Sequence, residues 1–410
     1  MECEPTTSPI SAPVIIPRKQ HQISRQAISQ GTLDVLYRLK DAGFLAYIAG
    51  GGVRDLLVGR NPKDFDVVTD ARPEQVKRLF RHCRLIGRRF RLAHVMSGGE
   101  TIEVSTFRAG IEDKPDSKYL QKSEEGQILR DNVYGTPAQD AWRRDFTVNG
   151  LFYNIEDYSL IDYVDGLSDV RKKLIRVIGD PDTRMLEDPV RMIRAVRFAC
   201  SLGFNYDPET ENAIMRHAAR ISKASPARMF EEVQKLFFSG HSRDVLQHLC
   251  RFNLLDQMMP ELAEAMKADE RSRAWLERVT RQLDTWRMHN VIVTPELLYS
   301  LIFGLIHEKE ISRLMQEGMP VFHAAEQSVA GHLTSLGSRI LIPKVIGRHL
   351  AQLMAVQHYF ISIKPAKINK FMHRPCFHDA YIYFKMRARF DHAHADQVAF
   401  WDEKVRGIKW

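Results

Sequence analysis

The chain has 410 residues, 44% hydrophobic and 27% charged, with a formal net charge of +8. This length and balance exclude a disordered or fibrous chain and suggest roughly two to four domains; the basic excess favours a polyanionic partner, nucleic acid first. No apolar run is long enough to cross a membrane as a helix, and the five scattered cysteines (Cys3, Cys83, Cys200, Cys250, Cys376) lack a Cys-x-x-Cys pair, which points to reduced thiols and a cytoplasmic setting.

Residues 1–20 are Pro- and Ser/Thr-rich, have no apolar signal core, and read as a flexible tail. His21–Ala42 reads as a helix with Leu33, Leu36 and Tyr37 on one face, ended by Gly43. Then comes the stretch that organises the rest. An apolar run, Phe44–Ala49, enters Gly50-Gly51-Gly52. A short helix over Val53–Val58 follows, Asn61-Pro62-Lys63 breaks it, and Asp64-Phe65-Asp66-Val67-Val68 resumes as a strand. Residues two apart in a strand share a face, so Asp64 and Asp66 stand together while Phe65 and Val67 turn to the core. Two such carboxylates repel unless a cation lies between them, and hard oxygens suit Mg²⁺, which also takes substrate phosphates. The glycines let backbone approach a phosphate, the helix behind them offers unpaired N–H groups, and Arg54 adds a fixed charge. Asp-x-Asp alone is common; a strand pair with a solvated Asp-x-Asp turn is the alternative reading.

Thr69–Glu74 is a helix start, with Thr69 or Asp70 as cap and Pro73 in the first turn. Cys83–Val95 is strand-like and basic, with Arg84, Arg88, Arg89 and Arg91; Ser97-Gly98-Gly99-Glu100 is a hairpin turn. Thr101–Phe107 alternates. Glu103 joins the two aspartates if this strand lies beside theirs; otherwise it is an edge glutamate in solvent. Ile111–Arg130 is polar and aperiodic, and reads as a mobile loop over the active site. Asp140–Leu151, DAWRRDFTVNGL, puts Arg-Arg-Asp inside a semi-apolar run, where burial is costly and function the better account. Ile155–Val177 reads as a hairpin: Leu160–Val164, a turn at Asp165-Gly166, then Leu174–Val177.

Glu187-Asp188-Pro189-Val190-Arg191-Met192-Ile193-Arg194 opens a helix capped by Asp188; Arg191 and Arg194, three apart, can face one cleft. Past Gly203 the pattern is helix after helix. From about residue 340, Lys344, Arg348, Lys364, Lys367, Lys370, Arg374, Lys385, Arg387 and Arg389 interleave with Tyr359, Phe360, Phe371, Phe377, Tyr381, Tyr383 and Phe384. Such a mixture suits single-stranded RNA, where bases stack and phosphates pair; a helical core with a solvated basic face explains the same letters. His373, Cys376 and His378, and the run Asp391–Asp396, are metal-ligand types without zinc-site spacing and read as surface groups.

Gly50-Gly51-Gly52-Val53-Arg54-Asp55 with Asp64-Phe65-Asp66 resembles the signature of the polymerase-β-type nucleotidyltransferases, and within them the bacterial poly(A) polymerase and CCA-adding tRNA nucleotidyltransferase family. Arg143-Arg144-Asp145-Phe146-Thr147-Val148-Asn149 and Glu187-Asp188-x-x-Arg191 resemble two further elements of that family. His21–Arg25, Gly87–Val95, Leu129–Asn132 and the region after Ile342 are similar to its poly(A) polymerase branch. The resemblance implies an α+β fold: a polymerase-β-type nucleotidyltransferase head with a mixed sheet, then all-helical neck and body domains. The corresponding boundaries are a tail over 1–20, head 21–180, base-reading neck 181–240, body 241–340 and basic RNA-binding region 341–410. The implied reaction is template-independent transfer of AMP from ATP to an RNA 3′-hydroxyl with release of pyrophosphate. Asp64 and Asp66 would hold two Mg²⁺ ions, Asp145 matches a third functional aspartate, and Gly51, Arg54 and Arg144 would contact the triphosphate. Asp188 and Arg191, with Arg194 beside them, would read the base. Adenine and cytosine both offer a ring-nitrogen acceptor beside an amino donor; uracil and guanine offer the reverse, so the pair selects A and C without separating them. CCA addition to tRNA is therefore the alternative activity, and an RNA-binding protein on an inactive head a remoter one that the intact Asp-x-Asp disfavours. The implied partners are RNA 3′ ends and ATP, with no membrane and no named protein partner.

Overall fold

The computed structural model describes residues 12–87, 91–109, 120–122, 128–131 and 133–408. It divides into two compact units: Met1–Arg191 with Leu202–Ile214, and Met192–Ser201 with Met215–Trp410. The expected head, 21–180, lies inside the first unit; the stretch 181–240 is shared between the two.

The first unit is built on a mixed sheet. Its strands are β1 (Val14–Ile16), β2 (Ala46–Ala49), β3 (Asp66–Thr69), β4 (Cys83–Ile86), β5 (Leu92–Ser97) and β6 (Glu100–Thr106), then, after a separate antiparallel pair β7 (Leu120–Lys122) and β8 (Ile128–Asp131), β9 (Leu151–Asn154) and β10 (Leu160–Asp162). The order across the sheet is β1-β10-β9-β2-β3-β6-β5-β4. Among this sheet's described pairs, β3 and β6 run parallel and the others antiparallel. The expected α+β fold with a mixed sheet is what the chain adopts. β2 is buried along its whole length, and Tyr47, Val68, Phe107 and Phe152 form an apolar cluster around it. At Gly98 and Gly99 the β5–β6 hairpin has φ of 59° and 81°, the paired left-handed geometry of a two-residue turn matched to strand twist.

Several local expectations change. Helix α1 covers Gln30–Asp41, not His21–Ala42, because Ser29 Oγ accepts the Thr32 N–H and starts the helix there; Arg25–Ala27 is a 3₁₀ turn. Leu33 and Leu36 are buried, but Tyr37 faces out and receives a hydrogen bond from Arg25. Within the expected tail, residues 14–16 form the edge strand β1; residues 1–11 lie outside the described residues. Helix α2 spans Gly51–Leu57. Helix α3 (Pro73–Leu79) is capped at Arg72, whose N–H is taken by Gln75 Oε1 at 2.8 Å, while Thr69 and Asp70 bond Ala71 and Leu45 instead. The basic stretch 83–95 is two strands of a hairpin, and Arg88 and Arg89 lie outside the described residues. Of the expected loop 111–130, β7 and part of β8 are strand, and 111–119 and 123–127 lie outside the described residues.

Helix α4 is Pro137–Trp142. No hairpin joins 160–164 to 174–177. β10 pairs with β9, and the following chain turns into helix α5 (Gly166–Lys172). Asp162 decides this: its carboxylate accepts the N–H groups of Val164, Gly166 and Leu167, which gathers the chain into a helical start. Gly166 is needed there, since a Cβ would lie 2.2 Å from the Thr147 carbonyl oxygen. Helix α6 (Pro181–Glu187) follows. Asp188 ends it by donating its N–H to Arg184, and its own carbonyl accepts the Arg191 N–H as α7 (Val190–Leu202) begins.

Among the described residues beyond α7 the second unit is helical, its longest helices being Glu270–Met288 and Pro295–Gln316. Tyr359 is half-buried; Phe360, Phe371, Phe377, Tyr381, Tyr383 and Phe384 are buried, with Trp401 against Phe360, Phe371 and Phe377, and Tyr383 against Trp275. The buried rings form the core of the region and offer no face on which a base could stack, so of the two readings of these letters the helical core is the one observed. The basic residues divide. Lys344, Arg348, Lys364, Lys367, Lys370 and Arg389 are exposed; Lys385 pairs with Asp402, Arg387 with Glu308 and Asp391.

Candidate active site

The site begins with backbone. Ala49, the last residue of β2, lies opposite Asp66, the first of β3, and Asp66 is in parallel register with Glu103 of β6. Neighbours in register share a sheet face, so the condition for Glu103 to join the acidic group is met. Gly50 follows Ala49 with φ +70°. A Cβ at Gly50 would sit 2.8 Å from Arg144 Nη1 and 3.9 Å from Asp66 Oδ2, so glycine is required both by the dihedral and by what crowds the turn. Asp64 lies just before the ladder rather than within β3. Phe65 and Val67 are buried, as the alternation required.

Asp66 is exposed at the strand end, yet its pKa is pushed up to about 6. Loss of hydration is the largest cause; Arg144 opposes it, while the negative charges of Glu103 and Asp64 add to it. Glu103 and Asp64 thus add to the repulsion felt at Asp66, a repulsion that a hard divalent cation would relieve. Among the described residues no three His, Cys, Asp or Glu side chains converge to hold a metal; Mg²⁺ fills its shell with one or two carboxylates, water and substrate oxygens. The residues present fit that ion.

The Arg-Arg-Asp segment packs against this corner. Arg144 is clamped by Asp140 (2.9 and 3.2 Å), donates to the Asn149 carbonyl at 3.3 Å, and lies 5.3 Å over the Phe152 ring. Arg54 is buried on α2; its guanidinium holds Asp55 and donates from Nη1 to Asn149 Oδ1 at 2.6 Å. It folds back over the turn, with Nη2 3.5 Å from where a Gly51 Cβ would be. Asp145 Oδ1 accepts from its neighbour's backbone N–H at Phe146 and from Asn149 Nδ2, both at 2.9 Å. Asn149 thus links Arg54 to Asp145. It closes the Arg-Arg-Asp-Phe-Thr-Val-Asn motif, but sequence reasoning assigned it no role; a buried amide in a run of apolar neighbours was the available signal.

Arg184 was also missed. From α6 it donates to the carbonyls of Arg143 and Arg144 at 2.8 and 2.9 Å, and to Glu187 at 2.8 Å. Burial and then Arg191 push it down to about 10, against the pull of Glu187. Arg191, itself buried, donates from Nη1 to the Arg184 carbonyl (2.6 Å) and to Glu187 (3.2 Å). A chain of hydrogen bonds therefore runs from the Arg144 backbone through Arg184 and Glu187 to Arg191. Arg194 belongs to the second unit, where it faces Glu232 at 3.5 Å with Arg197 and Lys235. Burial pushes Glu232 up, yet these three cations outweigh it and hold Glu232 below its usual value. Arg191 and Arg194 serve different glutamates, and Asp188 sits at the break between α6 and α7. His378 pairs with Asp379, and Asp391 with Arg271 and Arg387.

The poly A polymerase head domain matches residues 46–176, a probable RNA- and SrmB-binding site of polymerase A matches 203–266, and the arginine-rich C-terminus of polymerase A matches 317–407. Poly(A) polymerase I of Escherichia coli O157:H7 is 41% identical over 379 residues, covering 91% of this chain and 81% of that relative. A CCA-adding enzyme of Bacillus subtilis is 37% identical over 226 residues, 55% of this chain and 54% of the other. A tRNA nucleotidyltransferase solved with a primer tRNA and an incoming ATP analog shares the fold, with TM-score 0.59 at 21% identity, over 91% of this chain and 98% of that one. With three consecutive family segments matched and a relative 41% identical across most of both chains, this protein belongs to the bacterial poly(A) polymerase family.

Proposed function

We propose that this chain is a polynucleotide adenylyltransferase that extends RNA 3′ ends with AMP from ATP, without a template. The observation that carries the reading is the convergence of Gly50, Asp66 and Arg144 at the end of β2 and β3, with Glu103 in register beside Asp66. In the reaction the RNA 3′-oxygen bonds to the α-phosphorus, the bond from that phosphorus to the bridging oxygen breaks, pyrophosphate leaves, and the hydroxyl proton is lost. Asp64 and Asp66 would hold two Mg²⁺ ions, which supply charge neutralisation at the attacking and leaving oxygens. The glycine turn over Gly50–Gly52 admits a phosphate close to backbone, and Gly51 leaves room for Arg54 above it. Arg144, fixed by Asp140, presents a preset positive charge to the triphosphate. Arg54 acts through Asn149, ordering Asp145 and the turn together.

Asp188 and Arg191 read the base edge: the guanidinium donates to the ring nitrogen and the carboxylate accepts from the amino group. Glu187 and the Arg184 carbonyl set the orientation of Arg191, and Arg194 adds charge on the same helix. The exposed lysines and arginines of residues 341–410 hold RNA by its phosphates, since most of the aromatics they interleave with are buried in the core. Similarity across nearly the whole chain supports polyadenylation over CCA addition. No helix of the described residues is long and apolar enough to cross a membrane, and we place the activity in the cytoplasm.

The test is to incubate the purified protein with Mg²⁺, each nucleoside triphosphate separately, and two RNAs, an unstructured oligonucleotide and a tRNA lacking CCA. Long A tracts on the oligonucleotide with ATP alone are expected. Addition of two C residues and one A to the tRNA, then arrest, would mean a CCA-adding enzyme instead.

A further inference from the structure

Strand register sets a row of ionisable side chains across four adjacent strands. Asp66 of β3 lies beside Glu103 of β6, Glu103 opposite His94 of β5, and His94 opposite Arg84 of β4. Cross-strand partners in register point to one face, so the row reads acid, acid, imidazole, guanidinium along a single surface. The other face of β5 confirms the sidedness: Ala93 and Val95 are in the core, and His94 between them is not.

His94 Nε2 approaches Glu103 Oε1 to 3.3 Å, within ion-pair range but not aligned as a hydrogen bond. That nitrogen is shielded from solvent and has no hydrogen-bond partner among the described residues. Glu103 is half exposed and its charge acts on Asp66. A flexible, half-exposed glutamate beside another acid is driven outward by repulsion. What restrains it is a donor on its far side, and His94 is the side chain that the register puts there.

We propose that His94 is a positioning residue for Glu103: a small turn of the Glu103 carboxylate, 3.3 Å away, aligns it with the Nε2–H, which then keeps it in the row beside Asp66 and so shapes the acidic centre where the nucleotide reacts. His94 touches neither substrate nor ion; it acts through Glu103, with Arg84 closing the row at the sheet edge. The proposal rests on the reading of Asp66 as the centre of nucleotidyl transfer.

The experiment compares the wild type with His94→Ala, His94→Gln, Glu103→Gln and the double variant His94→Ala/Glu103→Gln, after thermal melts establish that each is folded. AMP transfer from ATP to an unstructured RNA is followed, with kcat and the KM for ATP separated. His94→Ala is expected to lower kcat by roughly 10–100-fold, the usual consequence of removing a group that orients a reacting ligand, with little change in KM. His94→Gln keeps an N–H donor and should recover most of the loss. In the Glu103→Gln background the His94→Ala change should add nothing. Full activity in His94→Ala, no recovery in His94→Gln, or additive losses in the double variant overturns the proposal while leaving the transferase reading intact. A wild-type protein that transfers no nucleotide to any RNA overturns both.

Discussion

Arg54 donates to Asn149 Oδ1 at 2.6 Å, and the same amide donates from Nδ2 to Asp145 at 2.9 Å. Arg54 can only donate and an ionised Asp145 can only accept, so the amide orientation follows. One side chain therefore ties helix α2, behind the glycine turn, to the Arg-Arg-Asp segment. Asn149→Ala should cost about 1.5–3 kcal/mol, the range for hydrogen bonds to charged groups, and lower transfer activity with it. Asn149→Asp should be worse, because it sets a second carboxylate against Asp145. Urea denaturation and AMP-transfer assays check both; an Ala variant with wild-type stability would mean that the bridge contributes nothing.

Asp66 makes the metal-free protein's stability depend on pH in a defined direction. Its folded pKa, about 6, lies above the ordinary 3.8. The folded chain thus keeps a proton there that the unfolded chain has released, and this contribution to stability is lost as pH rises through about 6. Asp66→Asn removes the loss. Its stability relative to wild type should be greater near pH 8 than near pH 4, in urea midpoints measured with a chelator present. Equal differences at both pH values would place Asp66 in ordinary solvent.

Arg191 is poised by Glu187 and the Arg184 carbonyl. Truncation to Ala should weaken ATP use and blur the preference against UTP and GTP by roughly 1–3 kcal/mol, the cost of an unpaired polar edge in a buried site. Arg191→Lys should restore charge but not selectivity, since an ammonium lacks the planar fork. Competition between triphosphates is the measurement. An Ala variant that keeps both activity and selectivity removes the base-reading role.

In the second unit, His307 is fully buried, 3.0 Å from Ser328 Oγ through Nδ1 and 3.3 Å from His332 through Nε2. Burial, then the neighbouring His332, push His307 down to about 3; burial also lowers His332, against the pull of Glu261. Both are neutral when folded and take up protons near 6.5 when unfolded, so stability present above 6.5 is lost as pH falls below it. The melting temperature of this unit should drop between about pH 7 and pH 5. Replacing both histidines with Gln should flatten that slope, whatever it does to stability overall. Calorimetry at several pH values decides; an unchanged slope would assign the acid sensitivity elsewhere.

Lys364, Lys367 and Lys370 project from one short stretch into solvent. Reversing their charge should weaken RNA binding and reduce its salt slope by about 0.7 per phosphate contact on single strands, with ATP affinity unaffected. Filter binding over a salt series measures this. If slope and affinity both survive, these lysines are solvated surface only.

Much of this was written in the order of residues along the chain. A left-handed turn demands Gly50 wherever the backbone reverses so sharply, alternation across Phe65 and Val67 sets which side of the Asp-x-Asp is buried, and Pro at a first helical turn marks Pro73. These depend on neighbours a few residues away, and local sterics carry them. The tertiary structure alone decided what depends on distant partners. It made the aromatics from Phe360 to Phe384 a core rather than a stacking surface, because in a helical unit the same letters serve burial and binding equally well. It replaced the expected hairpin after Leu160 with α5, because the Asp162 carboxylate collected three backbone N–H groups that no periodicity announces. It also brought Asp66, Glu103, His94 and Arg84 into one row, since register is set by the pairing of whole strands, and a shift of one residue would have turned each of them to the opposite face.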